Sequence, residues 1–192
     1  FNTYAYGNSN AIVTFGKRES NDLAKLYQEV VKQGNYEYVG LYGHSLGATT
    51  VLRAGSIVNP MPNFIIANAP YNRLDETIAS HLNLWTQKLG LTKDDISLAR
   101  KIIKQAEKNW GNELLPRETM TSVAKLPMPV LYLHGTSDEM NPYYMSEELI
   151  KVTPSAEIIP LKDAGHLDTF IKTKKEVEDS IYNFLNYVES LE

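Results

Sequence analysis

The chain has 192 residues, of which 43% are hydrophobic and 22% are charged, and its formal net charge is −4. This composition is typical of a globular protein, and we interpret residues 1–192 as a single domain with a substantial core. The mild negative charge argues against nucleic-acid binding, which requires clustered Lys and Arg. The lysines at positions 172, 174 and 175 are followed at once by acidic residues, so we interpret them as the solvated start of a helix.

The absence of cysteine excludes disulfides, thiolate zinc sites and a cysteine nucleophile. The histidines and carboxylates fall on separate predicted loops, so we expect neither a bound metal nor a cofactor. No hydrophobic run reaches the roughly 18 residues that a membrane helix needs, and we expect no association with membranes. Cysteine-free proteins occur in every compartment, so the location is left open, with the cytoplasm favoured.

The first half of the chain predicts two strands and two helices. Apolar spacing near 3.6 predicts a helix over residues 20–33, and Gly34 is a plausible stop. The β-branched and aromatic residues of 36–42 predict a short buried strand. Small and apolar residues predict a helix over 46–58 that lies close to the sheet. A second strand is predicted over 64–70.

The second half predicts two more strands, over 130–135 and 156–161, and helices over 143–151 and 174–189. Strands that alternate with helices favour the α/β class, with a mostly parallel sheet and helices on both faces.

The segment 72–125 interrupts this alternation because it contains two amphipathic helical patterns and no strand. The first begins near Asp75 and ends at Gly90, and the second extends from Thr92 to Gly111. A helical insertion between two strands predicts a cap over the carboxyl edge of the sheet. The alternative is that these helices pack on the sheet like any others.

The sequence GHSLG, residues 43–47, lies between a predicted buried strand and a predicted helix. A strand that turns at once into a helix holds the intervening Ser45 in a strained conformation, so neighbouring positions must lack bulk, as Gly43 and Gly47 do. The helix that follows directs free N–H groups and its positive end at whatever is bound to the serine. This placement favours a displayed nucleophile over a simple turn.

A serine hydroxyl needs a base to take its proton, and the base needs a third group to hold it. Of the four histidines, His166 is the best candidate because it lies in the short loop DAGHLD after the last predicted strand. We expect His44 to leave the turn on the side away from Ser45. We expect His81 to pack or lie on the surface of the cap, and His134 to support a loop.

For the third group we favour Asp138, which follows the strand 130–135 at the edge where parallel sheets collect functional groups. Glu139 is the adjacent rival. Asp163 and Asp168 flank His166, and we interpret them as hydrogen-bonding loop residues, with Asp168 still open as the acid.

The segments GHSLG, PVLYLHGTSDEMNP and DAGHLD together resemble those of the α/β-hydrolases, in the esterase-like and serine-aminopeptidase-like branch with a small helical cap. The resemblance covers the whole chain apart from the cap. It implies the α/β-hydrolase fold and a triad of Ser45, Asp138 and His166 in the family's chain order. It also implies that the N–H of Leu46 is one oxyanion donor. Relatives that are dehalogenases or epoxide hydrolases are disfavoured, because they have Asp at the position of Ser45.

The first residues, FNTYAYGNSN, resemble the segment that ends the fourth strand in this family, with Tyr4 and Ala5 where Arg-Gly is frequent. On that reading the sheet lacks its N-terminal strands here, together with the loop that supplies the second oxyanion donor. We therefore expect a further N-terminal segment of about 60–110 residues, or a companion chain, in the working protein.

The resulting prediction is a serine hydrolase that cleaves a small-molecule carboxylic ester, or an amide or peptide, through an acyl-enzyme. Acyl transfer on the same triad and a hydrolase-like binding module without turnover stay open, as does the oligomeric state. Apolar residues of the predicted cap favour an apolar acyl or aryl group. For the substrate pocket the candidates are His44, Tyr71, Leu82 and Trp85.

Overall fold

The computed structural model describes residues 13–90 and 118–191, together with the isolated positions 92, 94, 97, 101 and 105. Its strands form one parallel sheet in the order β1-β2-β3-β4. They are β1 (Gly40–His44), β2 (Phe64–Asn68), β3 (Val130–Gly135) and β4 (Ala156–Leu161). The parallel sheet that the sequence predicts is confirmed, and the bounds of β3 and β4 are as predicted.

The helices surround this sheet. They are α1 (Lys17–Gln33), α2 (Leu46–Gly55), α3 (Leu74–Leu89), α4 (Glu118–Val123), α5 (Tyr144–Ile150), α6 (Thr169–Lys172) and α7 (Lys174–Glu189). The short helices α4 and α6 were not expected from the sequence, and α2 ends three residues before its predicted end. In the part of the chain that the structure describes, no helix is both long enough and apolar enough to cross a bilayer.

Both faces of the sheet are covered, and the alternation along β3 shows how. Val130 and Tyr132 belong to a core cluster that includes residues of α1, α2 and α4. Leu131 and Leu133 belong to a second cluster, on the side where α7 contributes its own apolar residues. All six residues of β3 are buried, so this strand supplies hydrophobic stabilisation to both layers.

Strand β1 is shifted relative to the prediction, which placed it at 36–42. Its first residue, Gly40, is paired with Phe64, the first residue of β2, so the chain before Gly40 has no β2 residue to pair with. Tyr36 is 59% exposed, and the N–H of Val39 is bonded by the side chain of Asn63 rather than by a strand. Aromatic propensity at Tyr36 was therefore misleading, because sheet pairing sets the strand's start.

Helix α1 begins at Lys17 rather than at the predicted residue 20, and the buried Glu19 is the reason. Its carboxylate accepts hydrogen bonds from the N–H groups of Thr14 (2.7 Å) and Gly16 (3.0 Å). It also accepts one from the hydroxyl of Thr14 at 2.6 Å. A carboxylate at this position satisfies free N–H groups at the helix start and so extends the helix by a turn.

Helix α3 begins shortly after the carboxyl end of β2, which places it at the edge of the sheet where β1 and β3 also end. It ends at Gly90, in the left-handed conformation with φ 63°, as expected for a glycine stop. Positions 94, 97, 101 and 105 are helical, and the rest of the second predicted cap helix lies outside the described residues. The cap at 72–125 therefore stays a prediction.

Candidate active site

Ser45 connects β1 directly to α2, and its backbone is strained. Its φ is 55° and its ψ is −121°, in a region that residues other than glycine rarely occupy. Two hydrogen bonds hold this conformation: the N–H of Ser45 donates to the carbonyl of Asn68 at 2.8 Å, and the N–H of Thr49 donates to the carbonyl of Ser45 at 3.1 Å. The hydroxyl is thereby displayed at the carboxyl edge of the sheet.

The two glycines of GHSLG differ in what they contribute. A Cβ at Gly43 would lie 2.2 Å from the carbonyl oxygen of Gly47, so the first turn of α2 can pack against β1 only if residue 43 has no side chain. Apart from its chain neighbours and the backbone of its own helix, a Cβ at Gly47 would meet no atom of the described residues within 4 Å. The steric reason expected for Gly43 is confirmed, and the same reason for Gly47 is wrong.

The structure brings Ser45, His166 and Asp138 into one chain of hydrogen bonds. Nε2 of His166 lies 2.8 Å from Oγ of Ser45, and Nδ1 lies 2.7 Å from Oδ2 of Asp138. A carboxylate only accepts, so Nδ1 carries the proton and Nε2 is left to accept from the serine hydroxyl. A serine, a histidine and a carboxylate bonded in this order can act chemically as a nucleophile, a base and an orienting acid.

Four donors surround the carboxylate of Asp138. Oδ1 accepts from the N–H groups of Met140 (2.9 Å) and Asn141 (2.8 Å). Oδ2 accepts from His166 and also lies 3.3 Å from Nε2 of His134. Burial alone would raise the pKa of Asp138, but the donors outweigh it and lower that pKa to about 2. The carboxylate is therefore charged at neutral pH.

The loop that carries His166 is held at both ends. Oδ1 of Asp168 accepts from the N–H of Gly165 at 2.5 Å, and Lys172 forms an ion pair with Asp168 at 2.9 Å. The N–H of Ser137 donates to the carbonyl of Ala164 at 2.9 Å, which ties this loop to the one that carries Asp138. Asp168 thus contacts its own loop, as the sequence indicates.

The other candidates occupy different surroundings. Glu139, the rival acid, is 66% exposed and pairs with Lys88 of α3 at 3.5 Å. The His44 ring does not turn away from the site as expected: its centroid lies 5.0 Å from that of His166. His81 is half-buried, and its Nε2 atom is buried without a hydrogen-bond partner among the described residues.

The residues named for the substrate pocket differ in how far they are exposed. Tyr71 is 4% exposed and packs in a small cluster that Leu46 borders, while its hydroxyl donates to the carbonyl of Phe15 at 2.7 Å. Leu82 is half-buried on α3, and Trp85 on the same helix is 49% exposed. Their contact with a substrate stays a prediction.

The contact between His134 and Asp138 was not predicted from the sequence. The buried imidazole contacts Ser146, Asn141 and Asp138, and a lone His at the end of a strand carries no sequence signal for such contacts. Within residues 13–90 and 118–191, no group of three or more His, Asp or Glu side chains is arranged to hold a metal ion.

Comparison with known sequences gives two distant relatives, and no family model matches. The chain is 23% identical over 176 residues to the Bacillus subtilis (strain 168) protein YqkD, covering 90% of this chain and 56% of YqkD. It is 28% identical over 76 residues to the AB hydrolase superfamily protein YisY of the same strain, covering 40% of this chain and 28% of YisY. The chain thus spans little more than half of the length of YqkD and less than a third of the length of YisY.

Solved structures match over nearly the whole chain. The esterase PF2001 of Pyrococcus furiosus superposes with a TM-score of 0.71 at 21% identity, covering 97% of this chain and 68% of the esterase. An alpha/beta fold family hydrolase from Bacillus anthracis superposes with a TM-score of 0.59 at 14% identity, covering 97% of this chain and 80% of the hydrolase. The chain therefore has the α/β-hydrolase fold, and the N-terminal strands of that fold are not among its described strands.

Proposed function

We propose that the protein is a serine hydrolase that cleaves a carboxylic ester with Ser45 as nucleophile, His166 as general base and Asp138 as orienting acid. The continuous hydrogen-bond chain from the Ser45 hydroxyl to the Asp138 carboxylate carries this proposal. The strained backbone of Ser45 adds support, because residues in such costly conformations are found mostly at functional sites.

In the proposed reaction, Oγ of Ser45 attacks the ester carbonyl while Nε2 of His166 takes the hydroxyl proton. The N–H of Leu46, at the start of α2, donates to the oxyanion that forms on the carbonyl oxygen. The proton on Nε2 then passes to the departing alcohol, and the acyl group stays on Ser45. Water, deprotonated by His166, attacks this acyl-enzyme, and Nε2 returns the proton to Oγ of Ser45 as the acid leaves.

The charged Asp138 stabilises the imidazolium that forms in both halves of this reaction. It also fixes the tautomer in which Nε2 is free to accept a proton. The esterase among the structural neighbours has the same fold, and the support for the chemistry comes from these residues rather than from that likeness.

Turnover of p-nitrophenyl acetate by the full-length protein tests the proposal. Ser45→Ala is expected to lower kcat by roughly 10⁶-fold, as in other serine hydrolases. Ser56→Ala removes a serine that follows the last residue of the same helix and whose hydroxyl donates to the carbonyl of Arg53, and it is expected to keep full activity. Wild-type turnover by Ser45→Ala would refute the proposal.

Two further experiments on the same protein distinguish a hydrolase from a binding module and from an acyltransferase. A fluorophosphonate probe is expected to label the wild type and not Ser45→Ala, whereas a binding module without turnover would leave the probe unreacted. An added alcohol or thiol that captures most of the acyl group in place of water would favour an acyltransferase. Substrates with an apolar acyl or aryl group are expected to be preferred, because Leu82 and Trp85 present apolar side chains on α3.

A further inference from the structure

His134, at the end of β3, contacts the same carboxylate oxygen that orients His166. The imidazole is fully buried. Its Nε2 lies 2.7 Å from the carbonyl oxygen of Asn141 and 3.3 Å from Oδ2 of Asp138. Its Nδ1 lies 2.6 Å from Oγ of Ser146, which is itself fully buried at the start of α5. Every polar atom of this ring therefore has a defined partner.

These partners fix which nitrogen carries the proton. Nε2 faces two oxygens that only accept, the Asn141 carbonyl and the Asp138 carboxylate, so it must donate. In the neutral imidazole, Nδ1 is then unprotonated and accepts from the hydroxyl of Ser146. The opposite tautomer would direct a nitrogen lone pair at both acceptors, which in a buried site is strongly unfavourable.

We propose that His134 is a positioning residue: locked by Ser146 as the Nε2–H tautomer, it holds the Asp138 carboxylate in place for His166. This role rests on the proposed hydrolase function, since it acts through the acid of that reaction. The N–H group of His134 closes the turn between Asp138 and Asn141 by bonding the Asn141 carbonyl, while the N–H of Asn141 bonds Oδ1 of Asp138. The turn and the carboxylate are thereby fixed by one side chain.

The shared oxygen gives the contact a chemical effect as well as a geometric one. Burial raises the pKa of Asp138, and this is the largest single effect. The hydrogen bond from His134 to Oδ2 stabilises the charged carboxylate and is one of the contacts that together lower the pKa. Removing that donor leaves a more basic carboxylate, which attracts the imidazolium proton more strongly. Other titratable groups close to His134 are Tyr143, whose ring lies edge-on at 5.7 Å, and His44, with which it interacts electrostatically.

Steady-state kinetics of three variants separate positioning from simple structural support. His134→Leu removes the donor and is expected to lower kcat by roughly 10²-fold, the cost of a catalytic group displaced by about 1 Å, with KM little changed. The pH at which kcat/KM falls to half its plateau is expected to rise. His134→Gln, whose amide N–H reaches the position of Nε2, is expected to restore most of the activity.

Tyr132→Phe is the matched control, because Tyr132 is buried on the same strand and loses one buried hydrogen bond, to Thr153. It is expected to lose stability without losing kcat. If His134→Leu does not fold, Ser146→Ala tests the same tautomer lock and is expected to lower kcat severalfold. Wild-type kcat and pH profile in His134→Leu or in a folded Ser146→Ala would overturn the proposal, as would a His134→Gln protein no more active than His134→Leu.

Long-range ¹H–¹⁵N spectra of ¹⁵N-histidine protein at pH 7 read the tautomer without any turnover. The expected result is a His134 tautomer with its proton on Nε2. A protein that shows this signal but cleaves no ester would count against the proposed hydrolase function alone. A His134 protonated on Nδ1 alone would overturn the positioning role even in an active enzyme.

Discussion

The backbone carbonyl of His166 accepts a 2.8 Å hydrogen bond from Nε2 of His44, so the residue beside Ser45, the proposed nucleophile, is joined directly to the loop of the proposed base. A carbonyl only accepts, and Nε2 of His44 therefore carries a proton. Burial lowers the pKa of His44, and the hydrogen bond to His166 opposes this only in part, so the ring is neutral at neutral pH. The strand-to-helix turn therefore contacts His166 twice: Ser45 bonds its side chain, and His44 bonds its backbone carbonyl.

The first prediction concerns this contact. His44→Phe leaves the His166 carbonyl without its donor and is expected to lower kcat by roughly tenfold through a less well-placed base. His44→Gln retains an N–H group and is expected to keep most of the activity. Kinetics with p-nitrophenyl acetate measure both, and equal activity of His44→Phe and wild type would show that the contact does not matter for the base.

The second prediction concerns the choice of acid. Asp138→Asn replaces an acceptor with an amide that no longer fixes the tautomer of His166, and kcat is expected to fall about 10⁴-fold. Glu139→Gln changes the neighbouring carboxylate, which is exposed and paired with Lys88, and is expected to keep wild-type kcat. The reverse ranking of these two variants would identify Glu139 as the acid.

The third prediction concerns the two glycines of the elbow and is measured by urea unfolding. Gly43→Ala places a Cβ 2.2 Å from the carbonyl oxygen of Gly47 and is expected to reduce the free energy of unfolding by about 1–3 kcal/mol or more. Gly47→Ala meets no atom within 4 Å and lies in a helix. It is expected to be neutral or more stable by up to about 1 kcal/mol. Equal losses in both variants would contradict the structure.

The fourth prediction concerns acid stability. The pKa of Asp138 is about 2 in the folded protein and about 3.9 in an unfolded chain, so the folded state binds fewer protons in this range. The carboxylate therefore contributes about 2 kcal/mol above pH 4, and this contribution is lost as the pH falls to about 2. The difference in the free energy of unfolding between wild type and Asp138→Asn is expected to shrink over that interval. A difference that stays constant from pH 6 to pH 2.5 would show that the lowered pKa of Asp138 does not contribute to stability.

Strands were predictable from the sequence where the hydrophobic pattern of the residues coincides with the segment that pairs in the sheet. Strand β3 was predicted with its observed bounds because a continuous buried run coincides there with sheet pairing. Strand β4 was also predicted with its observed bounds, and all six of its residues pair with β3. Strand β1 was misplaced because Tyr36 has strand propensity but no strand beside it. Glu19 and the early start of α1 could have been found from Gly16 and an acidic residue three positions later, which is the spacing of a helix cap.

The placement of Ser45, Asp138 and His166 after predicted strands, together with the resemblance to α/β-hydrolases, predicted that they form a set, and their hydrogen bonds bring them together. Contacts that depend on three-dimensional packing were not predictable. The direction of the His44 ring and the approach of His134 to the acid result from how the strand ends and loops meet, and neither residue type nor spacing specifies them.

The hydrogen bond between Ser45 and His166 joins residues 121 positions apart, and the one between His166 and Asp138 joins residues 28 positions apart. Contacts this distant in sequence form only when most of the chain has reached its native arrangement, because the entropy of closing such long loops must first be overcome. Partial unfolding of α7 or of the β4 edge would separate the base from the serine while β1 and α2 stayed intact. The reactivity of Ser45 would then report whether the native structure is intact, because this reactivity would be lost at the first cooperative opening of the carboxyl-terminal half.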